Sequence, residues 1–162
     1  GTPEYMAPEQ AYAADKVDVR ADIYAVGDAV ERAKNELAAQ LYQQGMDKVR
    51  VQRWTEAASA FEESLKYKDN SAIASNVKLG LAQAYRKLAR PREAIPLLNQ
   101  ISEGATDKEL QDDALYELAK SQEDIQTWNE AKNTWRTLIR RFPDSHFTPE
   151  AKLYLAQLQA MH

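Results

Sequence analysis

Residues 130–135 read EAKNTW, and the same opening pair stands in EAIPLL at 93–98 and in EAASAF at 56–61. Each step from one Glu-Ala to the next is 37 residues. Working outward from the alanines, a bulky apolar residue follows four places on (Phe61, Leu98, Trp135), and a small one precedes by twelve (Gly45, Ala82, Ala119). Val51, Leu88 and Ile125 stand six places before the alanines, and Tyr42, Leu79 and Tyr116 fifteen before. Five columns agree over three copies, so the chain reads as a stacked repeat before any local detail is considered.

Each copy predicts two amphipathic helices. The first carries apolar and small residues three or four apart, as in Tyr116, Ala119 and, further on, Ile125; the second runs from Glu-Ala through Trp135, Leu138 and Ile139. The stretches between them, RVQRW, LARPRE and IQTWNE, are too short for anything except antiparallel neighbours. Where Ala82 faces Ala94, or Ala119 faces Ala131, two helix axes approach closely, and the large residue nearby fills the gap to the next pair. One hairpin cannot bury both of its faces, so the units must stack. The expected fold is an all-α solenoid of antiparallel helix hairpins, with Trp54, Trp128, Trp135, the tyrosines and the leucines as its core.

Composition narrows the function classes. At 162 residues the chain is one domain, or one domain with an appendage, and its five Gly and six Pro leave little turn chemistry for a many-stranded sheet. Lys plus Arg number 21 against 25 Asp plus Glu, a formal charge of -4, which gives no basic field for nucleic acid or an anionic membrane. No apolar run reaches ~18 residues and no signal-peptide pattern opens the chain, so no membrane insertion is expected. Zero Cys excludes disulfides and thiol chemistry, and suits a reducing cytoplasm or an oxidising periplasm equally. The cytoplasm is the first expectation and the periplasm the alternative. His146 and His162 lack partners at metal-helix spacing, and no Gly-rich loop cradles a phosphate. No catalytic residue, cofactor site or metal site is expected, and the chain is not read as an enzyme.

The column of small residues, the alanine twelve places on, the large residue four beyond it and the closing Pro143 resemble the tetratricopeptide repeat (TPR) over residues 37–162. The usual period of that family is shorter by three, and the extra residues fall in the links KDNSAIASN and EGATDKELQDD. The resemblance implies a right-handed solenoid of three units plus a C-terminal capping helix. Thr148-Pro149-Glu150 is a good start for that last helix. Its Leu153, Leu155 and Ala156 fall one period after Tyr116, Leu118 and Ala119, as a terminal cap should. RFPDSHFTPEAKLYLAQL is moreover similar to repeats of periplasmic cell-envelope proteins, which gives an envelope adaptor as an alternative function.

Repeats of this family hold a peptide or helix of another protein in the groove lined by their first helices, so a protein partner is implied. At that helical phase stand Gln43, Met46, Asn76, Gln83, Arg86, Arg90, Asp113, Glu117 and Lys120. Members that clamp a C-terminal carboxylate place Lys and Asn where this chain has Tyr42 and Met46, which disfavours that ligand. Gln83, Arg86 and Arg90 form a candidate contact for an acidic peptide, with a solvated helix face as the bland alternative. Leu37, Leu41 and Tyr42 offer an apolar flank through which N-terminal helices of two copies would associate.

The first residues tell a different story. GTPEYMAPEQ and, after a short gap, VDVRADIYAVG closely resemble the Ser/Thr protein kinase stretch that runs from the end of the activation segment into the following large helix. In such a kinase, residues matching Gly1, Thr2 and Tyr5 shape the pocket beside the phosphorylated residue, Glu9 pairs with a distant Arg, and Asp22 holds the catalytic-loop backbone. The partners of these residues, the nucleotide loop and the metal ligands are absent from the sequence. The chain divides into a kinase-like remnant at 1–27 and a repeat domain at 28–162, with a regulatory or docking region of a bacterial-type kinase as a further alternative function. One helix is expected from about Val19 or Ala21 to Val49, bent near Gly27, with Ile23, Tyr24 and Val26 covering the end of the stack and residues 1–18 irregular.

Overall fold

The computed structural model describes residues 8–67, 73–104 and 108–162, with side chains from residue 25 onward. Among these residues there are seven helices and no strand: α1 (Pro8–Arg50), α2 (Trp54–Tyr67), α3 (Ala74–Lys87), α4 (Pro91–Glu103), α5 (Lys108–Asp124), α6 (Trp128–Arg141) and α7 (Thr148–Met161). Each helix packs against the next in sequence, and α3 also touches both α1 and α5. The second-type helices α2, α4 and α6 make no comparable contact with one another among the described residues. Closer packing within the α1–α3–α5 layer makes it the inner layer of the solenoid.

The three hairpin turns share one design. Gln52, Ala89 and Gln126, each a period apart, adopt φ of 59°, 58° and 63°. Around them the amide of the following residue reaches back five places, Arg53 to the Lys48 carbonyl at 2.9 Å, Arg90 to Tyr85 at 2.8 Å and Thr127 to Gln122 at 2.9 Å. This is a left-handed helix cap in which non-glycine residues accept a strained backbone in order to satisfy orphan carbonyls. Val51, Leu88 and Ile125 precede the strained residue in each copy, and Val51 is 62% exposed. That apolar column therefore marks the turn, while the other four mark the packing.

Nesting of large against small is clearest in the first unit. Phe61 is fully buried, and its ring lies against Gly45 of α1 and Gly80 of α3. A methyl group added at Gly80 would stand 2.9 Å from Phe61 Cζ, and one at Gly45 would be crowded further still. Ala57, Ala94 and Ala131 are all inaccessible, as are Leu98 and Trp135. In the third unit the space beside Trp135 is filled by aromatic rings, Tyr116 edge-on at 5.6 Å and Tyr154 stacked at 5.2 Å. Buried polar groups cross the same seams: Ser64 Oγ donates to the Ala38 carbonyl at 2.7 Å, and Thr134 Oγ1 to Gln122 Oε1 at 2.6 Å.

Both ends differ from expectation. The first helix begins at Pro8, where a missing N–H costs nothing, and runs without interruption through Gly27 to Arg50. Residues 8–18 are thus helical, as AYAAD with its good helix formers allows. Val26 covers nothing: it is 62% exposed, and so is every residue from 25 to 37 to a similar class. Residues 1–7, with the expectations for Gly1, Thr2 and Tyr5, lie outside the described residues, as do the side chains of Glu9, Asp22, Ile23 and Tyr24. At the other end α7 starts at Thr148 as anticipated, but Thr148 Oγ1 donates to the Phe142 carbonyl at 2.6 Å and caps nothing. Ala151 and Leu158 are buried and Tyr154 and Leu155 half-buried, whereas Leu153 is 57% exposed and Ala156 is exposed as well. The last helix repeats the phase of α5, and among the described residues no second-type helix covers the face that α5 turns to α6.

Candidate partner-binding groove

Three first-type helices contribute to one open groove of about 800 Å³. Val49 of α1, Gln83, Arg86 and Lys87 of α3, and Tyr116, Glu117 and Asp124 of α5 line it, with Trp54 of α2, the turn residue Ala89 and Pro91 at the start of α4 completing the wall. Helical spacing explains the grouping: 83, 86 and 87 fall on one stripe of α3, and 117 and 124, two turns apart, on the facing stripe of α5.

Arg86 ties these stripes together. Its Nε donates to Asp124 Oδ2 at 2.9 Å and its Nη1 to Glu117 Oε2 at 3.3 Å. Burial works against the Arg86 charge, and the bonds to Asp124 and then Glu117 outweigh it, so the guanidinium is held more firmly protonated than usual. Glu117 behaves in the opposite way. Its burial pushes the carboxyl above the ordinary 4.5, and the attraction of Arg86 only partly restores it. Asp124, 40% exposed, takes the shorter bond to Arg86, and Glu117, 16% exposed, takes the longer one. Beside the cluster, Lys87 Nζ lies 5.7 Å from the centre of the Trp54 ring, within cation–π range.

The nine residues chosen from helical phase divide into three groups. Gln83, Arg86 and Glu117 meet in the groove. Asp113 is half-buried on α5, its carboxyl raised first by burial and then by Asp112, against a lowering by His146; Lys120 lies 4.2 Å over the Tyr154 ring; Asn76 is half-buried on α3. The remaining three point elsewhere. Met46 packs into the core cluster around Phe61, Gln43 donates to Asp47 one turn on along its own helix, and Arg90 stands beyond the end of α3, paired with Glu93 and lying over Tyr85 at 4.6 Å.

Helical phase alone did not single out Val49, Trp54, Lys87, Tyr116 and Asp124 of the groove, nor Ala89 and Pro91 at its edge. Among the tryptophans only Trp135 is wholly core; Trp54 and Trp128 are half-exposed, and Trp128 stacks on His162 at 4.0 Å. A periodic signal for this exists in the sequence, since Trp54, Pro91 and Trp128 are one period apart and open α2, α4 and α6. The first turn of a helix is a place where a large ring is half covered. Tyr116 stacks on Phe147 at 4.5 Å, and its hydroxyl is pushed well above the ordinary tyrosine value, by burial first and then by Glu150. Among the described residues no group of three His, Asp or Glu side chains is arranged to hold a metal ion.

A family model described as YfiO, outer membrane lipoprotein, matches residues 34–161. Among solved structures, the Arabidopsis OM64 TPR domain superposes with a TM-score of 0.67 at 15% identity, over 78% of this chain and 98% of that one. The first TPR of Spaghetti (RPAP3), solved with the HSP90 peptide SRMEEVD, gives 0.66 at 16% identity over 78% and 94%. YrrB, described as a TPR protein with an unusual peptide-binding site, gives 0.65 at 18% identity over 87% and 73%. No curated protein matches the chain. The fold is that of the TPR solenoids.

Proposed function

The chain belongs to the YfiO outer membrane lipoprotein family, and from that premise we propose that it is a non-catalytic interaction module of a bacterial cell envelope that holds an extended segment of a partner protein along its inner groove. The envelope reading is supported by the description of the family and by the likeness of residues 141–158 to envelope repeats. Among the described residues no helix is long and apolar enough to cross a membrane.

One observation carries the choice of ligand: Arg86, the central cation of the groove, is already bonded to two carboxylates of the same chain. An acidic tail would have to displace Glu117 and Asp124 to reach it, which leaves the largely buried Glu117 carboxylate without its partner. The structure of RPAP3 contains the acidic peptide SRMEEVD, but here Tyr42 lies against Phe61 and Met46 is part of the core, so two positions of such a clamp are filled by packing residues. The favoured ligand is an extended, largely uncharged segment that sets an apolar side chain against Trp54 and Val49 and offers backbone groups to Gln83.

Selection of peptides from a displayed library on the purified 162-residue chain tests this. Enriched sequences should be apolar and poor in Asp and Glu, and both Trp54→Ala and Lys87→Glu should weaken their binding about tenfold or more. A thermal melt of each variant separates loss of binding from loss of fold. Enrichment of acidic C-terminal peptides, or binding indifferent to both substitutions, would overturn the ligand reading. Fractionation of native cells tests the compartment, where recovery from the cytosol alone would count against an envelope role.

A further inference from the structure

The chain has a formal charge of -4, yet its cations are not spread evenly. In the outer layer α2 holds Glu56, Glu62 and Glu63 against Lys66 alone, and α4 holds Glu93 and Glu103 against Arg92. On α6 the balance reverses: Lys132, Arg136, Arg140 and Arg141 stand against Glu130. The helix dipole accounts for Arg140 and Arg141, which lie in the last turn, but not for Lys132 and Arg136 earlier in the helix.

Helical spacing sets Arg136 and Arg140, four apart, side by side at the centre of the exposed face, with Lys132 on one flank and Arg141 on the other. The three arginines are exposed and Lys132 is half-buried. Among the described residues none of the four pairs with a side-chain carboxylate. Lys132 Nζ donates to the main-chain oxygen of His162 at 3.2 Å, Arg136 Nη1 to Asn133 Oδ1 at 3.0 Å, and Arg141 to Gln111 Oε1 at 2.8 Å and the Ser102 carbonyl at 3.2 Å. Glu103 of α4 borders the same cavity as Arg141 and forms no ion pair with it. By contrast Lys48, Arg53, Arg86 and Arg90 each meet a Glu or Asp of the same chain.

The occupant follows from what this face lacks. Among the described residues no large exposed apolar side chain belongs to α6, and the ring of Trp128 at its start is covered by His162. A folded protein partner needs buried apolar or aromatic anchors with charge kept to the rim, and a single-stranded nucleic acid needs open rings on which bases stack. A lipid surface needs neither. Its anionic headgroups rearrange around long, unneutralised cations, and each cation adds to the attraction.

We propose that the outer face of α6, through Lys132, Arg136, Arg140 and Arg141, rests on an anionic lipid surface without entering it. The inner groove, on the opposite layer, then faces away from the lipid and stays open to its partner. This inference shares with the proposed function only the envelope compartment, which fractionation tests separately.

Co-sedimentation of the 162-residue chain with vesicles of equal parts phosphatidylglycerol and phosphatidylcholine supplies the test. At about 10 mM salt, where the screening length is about 30 Å, the chain should sediment with these vesicles and not with pure phosphatidylcholine, and about 0.5 M salt should release it. The double variant Arg136→Glu, Arg140→Glu should lower the partition coefficient at least about tenfold. A control pair, Arg32→Glu with Lys34→Glu on the exposed stretch of α1, changes the net charge equally and should stay within about twofold of the parent chain. Thermal melts of both should match the parent, since all four side chains are exposed. No sedimentation at low salt, equal binding to the neutral vesicles, or equal losses in the two double variants would each overturn the proposal. Displacement from the vesicles by duplex DNA or polyglutamate at a charge concentration below that of the lipid would overturn it as well, in favour of a nucleic acid or an acidic protein.

Discussion

Ala89 shows how much strain a single residue carries for the repeat. It sits at φ 58° between α3 and α4, the same position that Gln52 and Gln126 occupy in the neighbouring units. A left-handed backbone costs an L-residue roughly 1–2 kcal/mol, and part of that is returned when glycine takes the place and loses more freedom on folding. Ala89→Gly should therefore stabilise the protein by about 0.5–1 kcal/mol, seen as a rise in Tm of roughly 1–4 °C. Glu117 stores strain of another kind. Because burial raises its folded-state pKa above 4.5, its favourable contribution is complete below the unfolded value and is lost as pH rises through the folded one. Relative to wild type, Glu117→Gln should gain stability on going from about pH 4 to about pH 7 in thermal melts. A relative loss over that range would mean that Arg86 fully compensates the carboxylate. Ser121 is a third case: its buried Oγ has no hydrogen-bond partner, and no role in the groove accounts for it.

At the scale of elements, the alternation of small and large residues was legible in the sequence wherever both partners belong to the repeat. Gly45, Ala82 and Ala119 against Phe61, Leu98 and Trp135 needed nothing beyond the 37-residue period. What could not be read lies at the ends, where a helix has neighbours on one side only. Helical phase placed Leu153 and Ala156 in a cap, but the period says only which face α7 would turn to a following helix. Leu158 and Leu153 should consequently behave differently. Leu158→Ala, at 5% exposure, should cost about 2–4 kcal/mol in denaturant unfolding, and Leu153→Lys should stay within about 0.5 kcal/mol of wild type. The start of α1 was misjudged for a related reason: AYAAD has the propensity for helix, and the expectation of irregularity assumed that an unpacked segment needs tertiary support. The groove was half legible. Gln83, Arg86 and Glu117 follow from the phase of the first helices, whereas Trp54 enters from the start of a second-type helix and Arg90 is carried away by the turn.

For the molecule as a whole, the inner layer α1–α3–α5 is where separate units become one surface. Arg86 of the second unit bonded to Glu117 and Asp124 of the third fixes the relative setting of α3 and α5, and Trp54 with Lys87 links the first unit to the second. A partner segment laid along this layer would meet all three units at once. The outer layer holds its own polar links, such as Arg141 donating to Gln111 Oε1 at 2.8 Å and to the Ser102 carbonyl at 3.2 Å, which lock α6 to the preceding unit beside a smaller cavity of about 470 Å³. Titration of the isotope-labelled chain with a display-selected peptide, followed by NMR chemical-shift mapping, probes this division of faces most directly. Shifts should form one band through Val49, the Trp54 indole, Gln83, Lys87 and Glu117, with the exposed residues of α4 and α6 silent. A band confined to α4 and α6, or shifts restricted to a single unit, would mean that the inner layer is not the binding surface.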